Sequence, residues 1–133
     1  MPNRILLVED DPINVKFIKV VLAKKGGYEV LHTEDVPEIL QLAREGDLLA
    51  IVMDVSLTRS TWEGRKVDGL AITKLLKADE ATRHIPVLLA TAHAMYGDKE
   101  KFLAETGAEG YYPKPIHDPD AFVAAVRSVI EGA

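Results

Sequence analysis

Short apolar runs alternate with longer stretches of mixed polarity along the 133 residues of the chain. A short continuous apolar run is typical of a strand buried on both faces, whereas apolar positions three or four residues apart indicate one side of a helix. The pattern predicts five strands, at residues 5–8, 28–33, 48–53, 86–90 and 110–112. It predicts five helices, at residues 12–25, 36–44, 68–78, 97–106 and 119–130.

Strands and helices alternate throughout, and this order indicates an α/β fold in which a parallel sheet carries helices on both faces. Crossovers between parallel strands are right-handed, which leaves few topologies. One domain over residues 1–133 fits a flavodoxin-like (βα)5 doubly wound parallel sheet, strand order 2-1-3-4-5, better than a barrel. Ligands bind such sheets at the carboxyl ends of the strands, near the point where the strand order reverses.

Composition and charge narrow the classes of function. With 47% hydrophobic residues the chain can bury a core, and without cysteines it has neither disulfides nor thiolate metal ligands. The N-terminus lacks a signal-peptide layout and no apolar run could span a bilayer, so we expect a cytoplasmic protein without membrane insertion. The net charge of -5 and the absence of a basic run argue against direct nucleic-acid binding and favour cations and protein partners.

Polar side chains follow four of the predicted strands: Glu9, Asp10 and Asp11 the first, Asp54 the third, Thr91 the fourth and Lys114 the fifth. The predicted topology places these strands side by side, so the acids, the hydroxyl and the ammonium should meet at one edge of the sheet. Each residue alone has an ordinary explanation, such as helix capping for an acid or a solvated surface charge for a lysine. Their agreement across four separate segments favours a functional site.

The residue types fit one chemistry. Three neighbouring carboxylates repel one another, and a hard divalent cation such as Mg²⁺, which takes oxygen ligands and keeps several waters, relieves that repulsion. One carboxylate can then attack a phosphoryl group and form an aspartyl phosphate. Lys114 and the hydroxyl of Thr91 can hold the remaining phosphoryl oxygens.

Four short motifs carry a family resemblance: ILLVEDDP from residue 5, VMD ending at Asp54, LATA from residue 89 and YYPKP from residue 111. Together they resemble the receiver domains of two-component response regulators, over essentially the whole chain. The motifs DDPIN, TAHAM and KPI, which begin at residues 10, 91 and 114, are similar to the DivK type and to receivers of hybrid kinases. Because the chain ends soon after the fifth helix, the resemblance implies a single-domain regulator without an output domain.

The resemblance implies a magnesium-dependent phosphorylation site. Asp54 would accept the phosphoryl group. Asp10 and Asp54 would bind Mg²⁺ directly, Glu9 would bind it through water, and the backbone carbonyl of Ser56 would complete the protein ligands. Such a protein catalyses only its own phosphorylation and dephosphorylation and is not otherwise an enzyme.

The resemblance also implies roles for residues on the last two strands. Thr91 and Lys114 would hold phosphoryl oxygens, and Thr91 with Tyr111 would couple the site to the surface formed by the fourth helix, fifth strand and fifth helix. The Lys114–Pro115 bond would be cis, which costs little before proline. Tyr111 and Tyr112 alternate along a strand, so we expect them to face opposite sides of the sheet.

Partners and phosphate lifetime follow from the same resemblance. Ser56 and His93 would lie over the phosphate and influence its removal by water, and the small Ala92 leaves it accessible. A histidine kinase or histidine phosphotransfer protein would donate the phosphoryl group, and a downstream protein would read the state of a monomer or weak dimer. The first helix is more apolar than one core-facing side requires, which suggests a docking surface for the donor. Scattered surface apolar residues are the ordinary alternative.

The sequence departs from the family between Asp54 and the third helix. The stretch 55–67 is longer than usual connections and lacks a proline after Leu57. Its Arg59, Trp62, Arg65 and Lys66 suggest a lid or a partner contact, whereas a tolerated insertion is the plain alternative.

Three other functions compete with a phosphorylated receiver. A haloacid-dehalogenase-type hydrolase needs a second Asp two residues after the nucleophile, where this chain has Ser56. A flavodoxin-like FMN carrier needs a Ser/Thr/Gly-rich loop after the first strand, where three acids would repel its phosphate. A pseudo-receiver, which binds partners without phosphorylation, stays open because of the long loop.

Overall fold

The computed structural model describes residues 3–92, 95 and 97–132. The strands are β1 Arg4–Val8, β2 Glu29–His32, β3 Leu48–Asp54, β4 Thr61–Trp62, β5 Arg65–Lys66, β6 Val87–Thr91 and β7 Gly110–Pro113. The helices are α1 Pro12–Gly26, α2 Val36–Arg44, α3 Gly69–Ala78, α4 Asp98–Thr106 and α5 Pro119–Glu131. No helix in these ranges is long and apolar enough to cross a membrane.

Five strands form one parallel sheet in the order β2-β1-β3-β6-β7. Counted along the chain without the two short strands β4 and β5, this is the order 2-1-3-4-5. The predicted flavodoxin-like doubly wound fold is therefore confirmed. The strand order reverses between β1 and β3, where loops after the two strands diverge to opposite faces.

Two apolar clusters cover the two faces of the sheet, and the central strand β3 contributes to both. Ile51 and Met53 belong to the cluster that includes residues of α2 and α3, whereas Ala50 and Val52 belong to the cluster that includes residues of α1 and α5. All four of these strand residues are buried. A strand buried on both faces needs a continuous apolar run, which is why β3 lacks an alternating polar pattern.

Aspartates begin four of the helices. The side chains of Asp11, Asp35, Asp68 and Asp118 accept hydrogen bonds from backbone N–H groups in the first turns of α1, α2, α3 and α5. Such caps satisfy backbone donors that have no partner within the helix. The caps at Asp11 and Asp68 also fix the loops that follow β1 and lead from β3 to α3.

The 55–67 stretch, which the sequence indicated only as a long loop, contains a small hairpin. Strands β4 and β5 pair antiparallel, with Trp62 opposite Arg65. Glu63 and Gly64, which join them, both have positive φ, 52° and 79°. Two-residue hairpin turns of this kind have positive φ at both central positions, and they favour asparagine or aspartate followed by glycine. With glutamate in the first position, the sequence signal is weak.

Candidate functional site

Neighbouring strands bring the polar residues singled out in the sequence to one edge of the sheet. Glu9 and Asp10 directly follow β1, Asp54 ends β3, Thr91 ends β6, and Lys114 follows β7. The strands lie side by side in the order β1-β3-β6-β7, so their carboxyl ends converge. The location is the one expected for ligand sites in doubly wound sheets.

Three carboxylates form the centre of the site. One oxygen each from Glu9, Asp10 and Asp54 lie within 4.8 Å of one another. Glu9 and Asp54 are buried, 1% and 3% exposed, while Asp10 is half-buried. Buried like charges at this separation are unfavourable unless a cation or a proton compensates them.

Lys114 supplies part of that compensation. Its Nζ lies 2.8 Å from Glu9 Oε1 and 3.3 Å from Asp54 Oδ1. Burial by itself lowers the pKa of Lys114, but the hydrogen bond to Glu9 and the charges of both acids outweigh burial and raise the pKa. The lysine therefore stays a cation, and three carboxylates with one ammonium leave an excess of negative charge.

Glu9 is the acid that this excess affects most clearly. Burial raises the pKa of Glu9, and the nearby carboxylate of Asp54 raises it further, against the opposing hydrogen bond from Lys114. A second oxygen, Glu9 Oε2, accepts a hydrogen bond from the backbone N–H of Asp11 at 3.2 Å. The site thus favours uptake of a positive charge, as a proton or as a metal cation.

The backbone after β3 holds Asp54 in place. The N–H of Ser56 donates to Asp54 Oδ1 at 3.1 Å, and the N–H of Gly69 donates to the carbonyl oxygen of Val55 at 3.0 Å. A Cβ at position 69 would collide with the carbonyl oxygen of Asp54. Only glycine fits this approach, so Gly69 supports the site although sequence reasoning assigned it no role. The Asp68-Gly69 pair at the start of α3 was the available signal.

Thr91 and Lys114 are joined through the backbone. Thr91 is buried, and its carbonyl oxygen accepts a hydrogen bond from the N–H of Lys114 at 2.7 Å. The Lys114–Pro115 peptide bond is cis, as expected. Ala92 is exposed beside the site, and His93 lies outside the described residues.

Asp10 is held by a residue that the sequence did not single out. Asp10 Oδ2 accepts hydrogen bonds from Thr58 N at 2.9 Å and from Thr58 Oγ1 at 2.7 Å. Burial alone raises the pKa of Asp10, but the two hydrogen bonds from Thr58, aided by the charge of Arg59, lower it below its ordinary value. Asp10 therefore stays ionised beside the two buried acids. Nothing in the sequence joins positions 10 and 58, because the contact exists only after folding.

Arg59 fastens the same segment to the loop after β2. Its Nε and Nη2 donate to the Glu34 carboxylate at 3.0 and 2.8 Å, and Nη2 also donates to the carbonyl oxygen of Asp10 at 2.7 Å. Ser60 Oγ donates to the backbone oxygen of Glu34 at 2.7 Å. Trp62 packs partly buried against the cluster that includes residues of α2 and α3. The segment is thus attached to the body of the domain and forms a wall of the site.

The two tyrosines of β7 face opposite sides of the sheet, as predicted. Tyr111 packs beside Phe102 with ring centroids 6.3 Å apart, and Tyr112 meets the edge of Phe122 at 5.2 Å. The Tyr111 hydroxyl is buried and has no hydrogen-bond partner in the described part of the chain. Burial raises the pKa of Tyr111, and carboxylates of α4 add to this effect.

An apolar surface on α1 borders the site. Ile13, Phe17 and Val20 are 78%, 41% and 45% exposed. Ile13 and Phe17 also line a groove together with Ala92 and Ile116. Single exposed apolar residues are common on protein surfaces, whereas several neighbouring large ones are typical of interaction surfaces.

Comparisons with known proteins agree with this architecture. The sequence model of the response regulator receiver domain matches residues 5–127. The chain is 38% identical over 133 residues to the polar-differentiation response regulator DivK of Brucella anthropi, and equally to that of Brucella ovis, with all of both chains covered.

Solved structures share the fold. The receiver domain of sensor histidine kinase PA1611 from Pseudomonas aeruginosa, solved with a magnesium ion in its active-site cleft, has a TM-score of 0.79 and 28% identity. That alignment covers 98% of this chain and 99% of the other. A sensor protein from Polaromonas sp. JS666, 22% identical over 99% and 98% of the two chains, has a TM-score of 0.81 and supports the fold alone.

Proposed function

The chain belongs to the response regulator receiver domain family, and on that premise we propose that it serves two-component signalling by accepting a phosphoryl group on Asp54. The observation that carries the proposal is the group of three carboxylates within 4.8 Å of one another, with the Lys114 ammonium beside two of them. An oxygen-rich, negatively charged centre next to a fixed cation suits phosphoryl transfer, which depends mainly on positioning and charge neutralisation.

The residues fit a bound Mg²⁺. Glu9, Asp10 and Asp54 offer oxygen ligands, which this cation prefers, and we expect the backbone carbonyl of Ser56, two residues after the end of β3, to serve as a further ligand. When bound, the cation neutralises negative charge on the phosphoryl oxygens and on the acids. The receiver domain of the kinase PA1611 holds a magnesium ion in its active-site cleft, which supports the same cofactor here.

The transfer uses groups already in place. A carboxylate oxygen of Asp54 attacks the phosphorus of a phosphohistidine, an O–P bond forms, and the P–N bond breaks with its electron pair left on the imidazole nitrogen. The Lys114 ammonium, now on Glu9 and Asp54, can turn to a phosphoryl oxygen, and Thr91 lies at the end of the adjacent strand. The chain thereby promotes its own phosphorylation, and its later hydrolysis, without acting on a separate substrate.

The donor is a histidine kinase or a histidine phosphotransfer protein, and the α1 surface beside the site is its docking area. Ile13 and Phe17 are exposed there next to the groove that reaches Lys114. The output is a change in the surface of α4, β7 and α5, read by a downstream protein in the cytoplasm. Tyr111 lies on that surface's strand and packs against Phe102 of α4.

A pseudo-receiver is the second candidate. The observation that favours it is the pair of hydrogen bonds from Thr58 to Asp10 Oδ2. In a pseudo-receiver this carboxylate would stabilise the fold through Thr58 and would not bind a cation. In that case the domain would bind its partners whether or not phosphate donors are present.

Intact mass spectrometry separates the two candidates. The protein is incubated with acetyl phosphate and Mg²⁺, and compared with an EDTA-treated sample, with Asp54→Asn, and with Asp47→Asn, a matched change at an exposed acid just before β3. We expect one phosphoryl adduct in wild type and Asp47→Asn, and none with EDTA or in Asp54→Asn. A folded wild type that forms no adduct would favour the pseudo-receiver.

A further inference from the structure

Thr58 makes a contact that the proposed phosphorylation chemistry does not use. Both of its donors, the backbone N–H and the side-chain hydroxyl, bind one oxygen of Asp10, Oδ2, at 2.9 and 2.7 Å. Two hydrogen bonds on one carboxylate oxygen fix the rotation of the group and leave the other oxygen without a bond to Thr58. Asp10 is the least buried of the three clustered acids, so it is also the one whose side chain has most freedom without such contacts.

The position of Thr58 is itself fixed by its neighbours. Arg59 binds Glu34 through two hydrogen bonds and reaches the Asp10 carbonyl oxygen, and Ser60 binds the Glu34 backbone. Four residues after Thr58, Trp62 packs against buried apolar side chains. The wall formed by residues 55–67 therefore presents the Thr58 donors at one place relative to β1.

From this geometry we infer that Thr58 is a positioning residue for the cation-binding carboxylate of Asp10. It holds Oδ2 and so keeps the Asp10 carboxylate in one orientation beside Glu9 and Asp54, and the segment 55–67 places Thr58 where it makes this contact. The inference rests on the proposed function, since it assumes that the three acids bind Mg²⁺. Residues that hydrogen-bond a metal ligand in this way commonly set metal affinity, because they orient the ligand before the cation arrives.

A competing interpretation predicts the opposite effect of Thr58 on Mg²⁺ affinity. If Thr58 occupies the carboxylate oxygen that the cation needs, it competes with Mg²⁺, and Mg²⁺ must displace the Thr58 hydrogen bonds before it can bind. Removal of the hydroxyl would then strengthen Mg²⁺ binding, whereas under the positioning role removal weakens it. The sign of one measured change therefore separates the two.

The test is Mg²⁺ binding by isothermal titration calorimetry, which needs no phosphoryl donor. The variants are Thr58→Val, which keeps the shape and the backbone N–H but loses the hydroxyl, Thr58→Ala, and Thr58→Ser, which restores a hydroxyl. Thr61→Val, an equal change at an exposed residue of the same segment, is the matched control. Urea unfolding followed by the fluorescence of the single tryptophan, Trp62, verifies that each variant is folded.

Each outcome decides a different point. We expect Thr58→Val and Thr58→Ala to raise the Mg²⁺ dissociation constant about tenfold, the lower end of the range for residues that support metal ligands, with Thr58→Ser and Thr61→Val near wild type. Unchanged or tighter binding in the Val and Ala variants would overturn the positioning role and leave the proposed function intact. No Mg²⁺ binding by wild type would overturn the magnesium-dependent function, and the inference with it.

Discussion

Replacing Lys114 by methionine tests the electrostatics of the site most sharply, because it removes the ammonium and keeps most of the apolar stem. The Lys114 Nζ lies 2.8 Å from Glu9 and 3.3 Å from Asp54, and the side chains involved are only 8%, 2% and 4% exposed. Without the ammonium, two buried carboxylates face each other with no fixed counter-charge while Mg²⁺ is absent. We expect Lys114→Met to lower the free energy of unfolding.

Protonation of Glu9 limits the part of the lost free energy of unfolding that comes from this acid. Breaking a buried ion pair typically costs about 3–5 kcal/mol when one charge stays behind. Glu9, however, can take up a proton, and protonating a carboxyl with an ordinary pKa of 4.5 costs about 3.4 kcal/mol at pH 7, at about 1.36 kcal/mol per pH unit. The expected loss from Glu9 is therefore about 3 kcal/mol at pH 7, and it falls below about 1 kcal/mol at pH 5, where protonation of this acid costs little.

Urea denaturation in EDTA, at pH 5 and pH 7, measures both values through Trp62 fluorescence and circular dichroism. Lys74→Met is the matched control, because Lys74 pairs with Glu105 at 2.7 Å on the surface, where such pairs contribute little. Added Mg²⁺ should restore part of the stability of Lys114→Met by supplying the missing positive charge. An equal loss at both pH values, or one no larger than that of Lys74→Met, would refute the reasoning.

Three further substitutions test separate parts of the account. Gly69→Ala places a Cβ against the Asp54 carbonyl oxygen, so we expect it to lower the free energy of unfolding by about 1–3 kcal/mol and to reduce acyl phosphate formation; a wild-type urea midpoint would contradict this. Burial raises the pKa of Glu9 above 4.5, so the Glu9 carboxyl holds its proton more tightly in the folded protein than in the unfolded chain. Ionisation of Glu9 therefore lowers the free energy of unfolding as the pH rises from 4.5 through the raised pKa. Without Mg²⁺, Glu9→Gln should therefore become more stable relative to wild type as the pH rises across that window. A difference between the two urea midpoints that stays the same at every pH would exclude the ionisation of Glu9 as its cause. Tyr111→Phe removes a buried hydroxyl without a partner among the described residues, so thermal unfolding should show equal or higher stability, and a clear loss would indicate a missed hydrogen bond.

Local sequence signals were sufficient for the parts of the fold that depend on period and caps. The helix predicted at residues 36–44 is observed as Val36–Arg44. Its apolar side determines which side faces the core, and the capping Asp35 determines where it begins. The site residues Asp54, Thr91 and Lys114 could be grouped because each lies at or just after the carboxyl end of a strand, and parallel strands end at a common edge. These inferences need only the order of elements along the chain.

Contacts between distant loops could not be predicted in the same way. Thr58 binds Asp10 across 48 positions, and Arg59 binds Glu34 across 25, and neither pair leaves a periodic or spacing signal. The hairpin at Thr61–Trp62 and Arg65–Lys66 was missed because glutamate stands at a turn position where asparagine or aspartate is usual. The geometry of this wall follows from tertiary packing, in which the Trp62 side chain takes part.

Locating the phosphoryl group is the most direct test of the central claim, that Asp54 and not a neighbouring acid is the acceptor. Protein phosphorylated with acetyl phosphate and Mg²⁺ is treated with borohydride, which reduces an aspartyl phosphate to homoserine, and the peptides are then sequenced by mass spectrometry. We expect homoserine at position 54 alone, and no conversion when EDTA replaces Mg²⁺. Conversion at Asp10 or Glu9, or equal conversion in EDTA, would contradict the account.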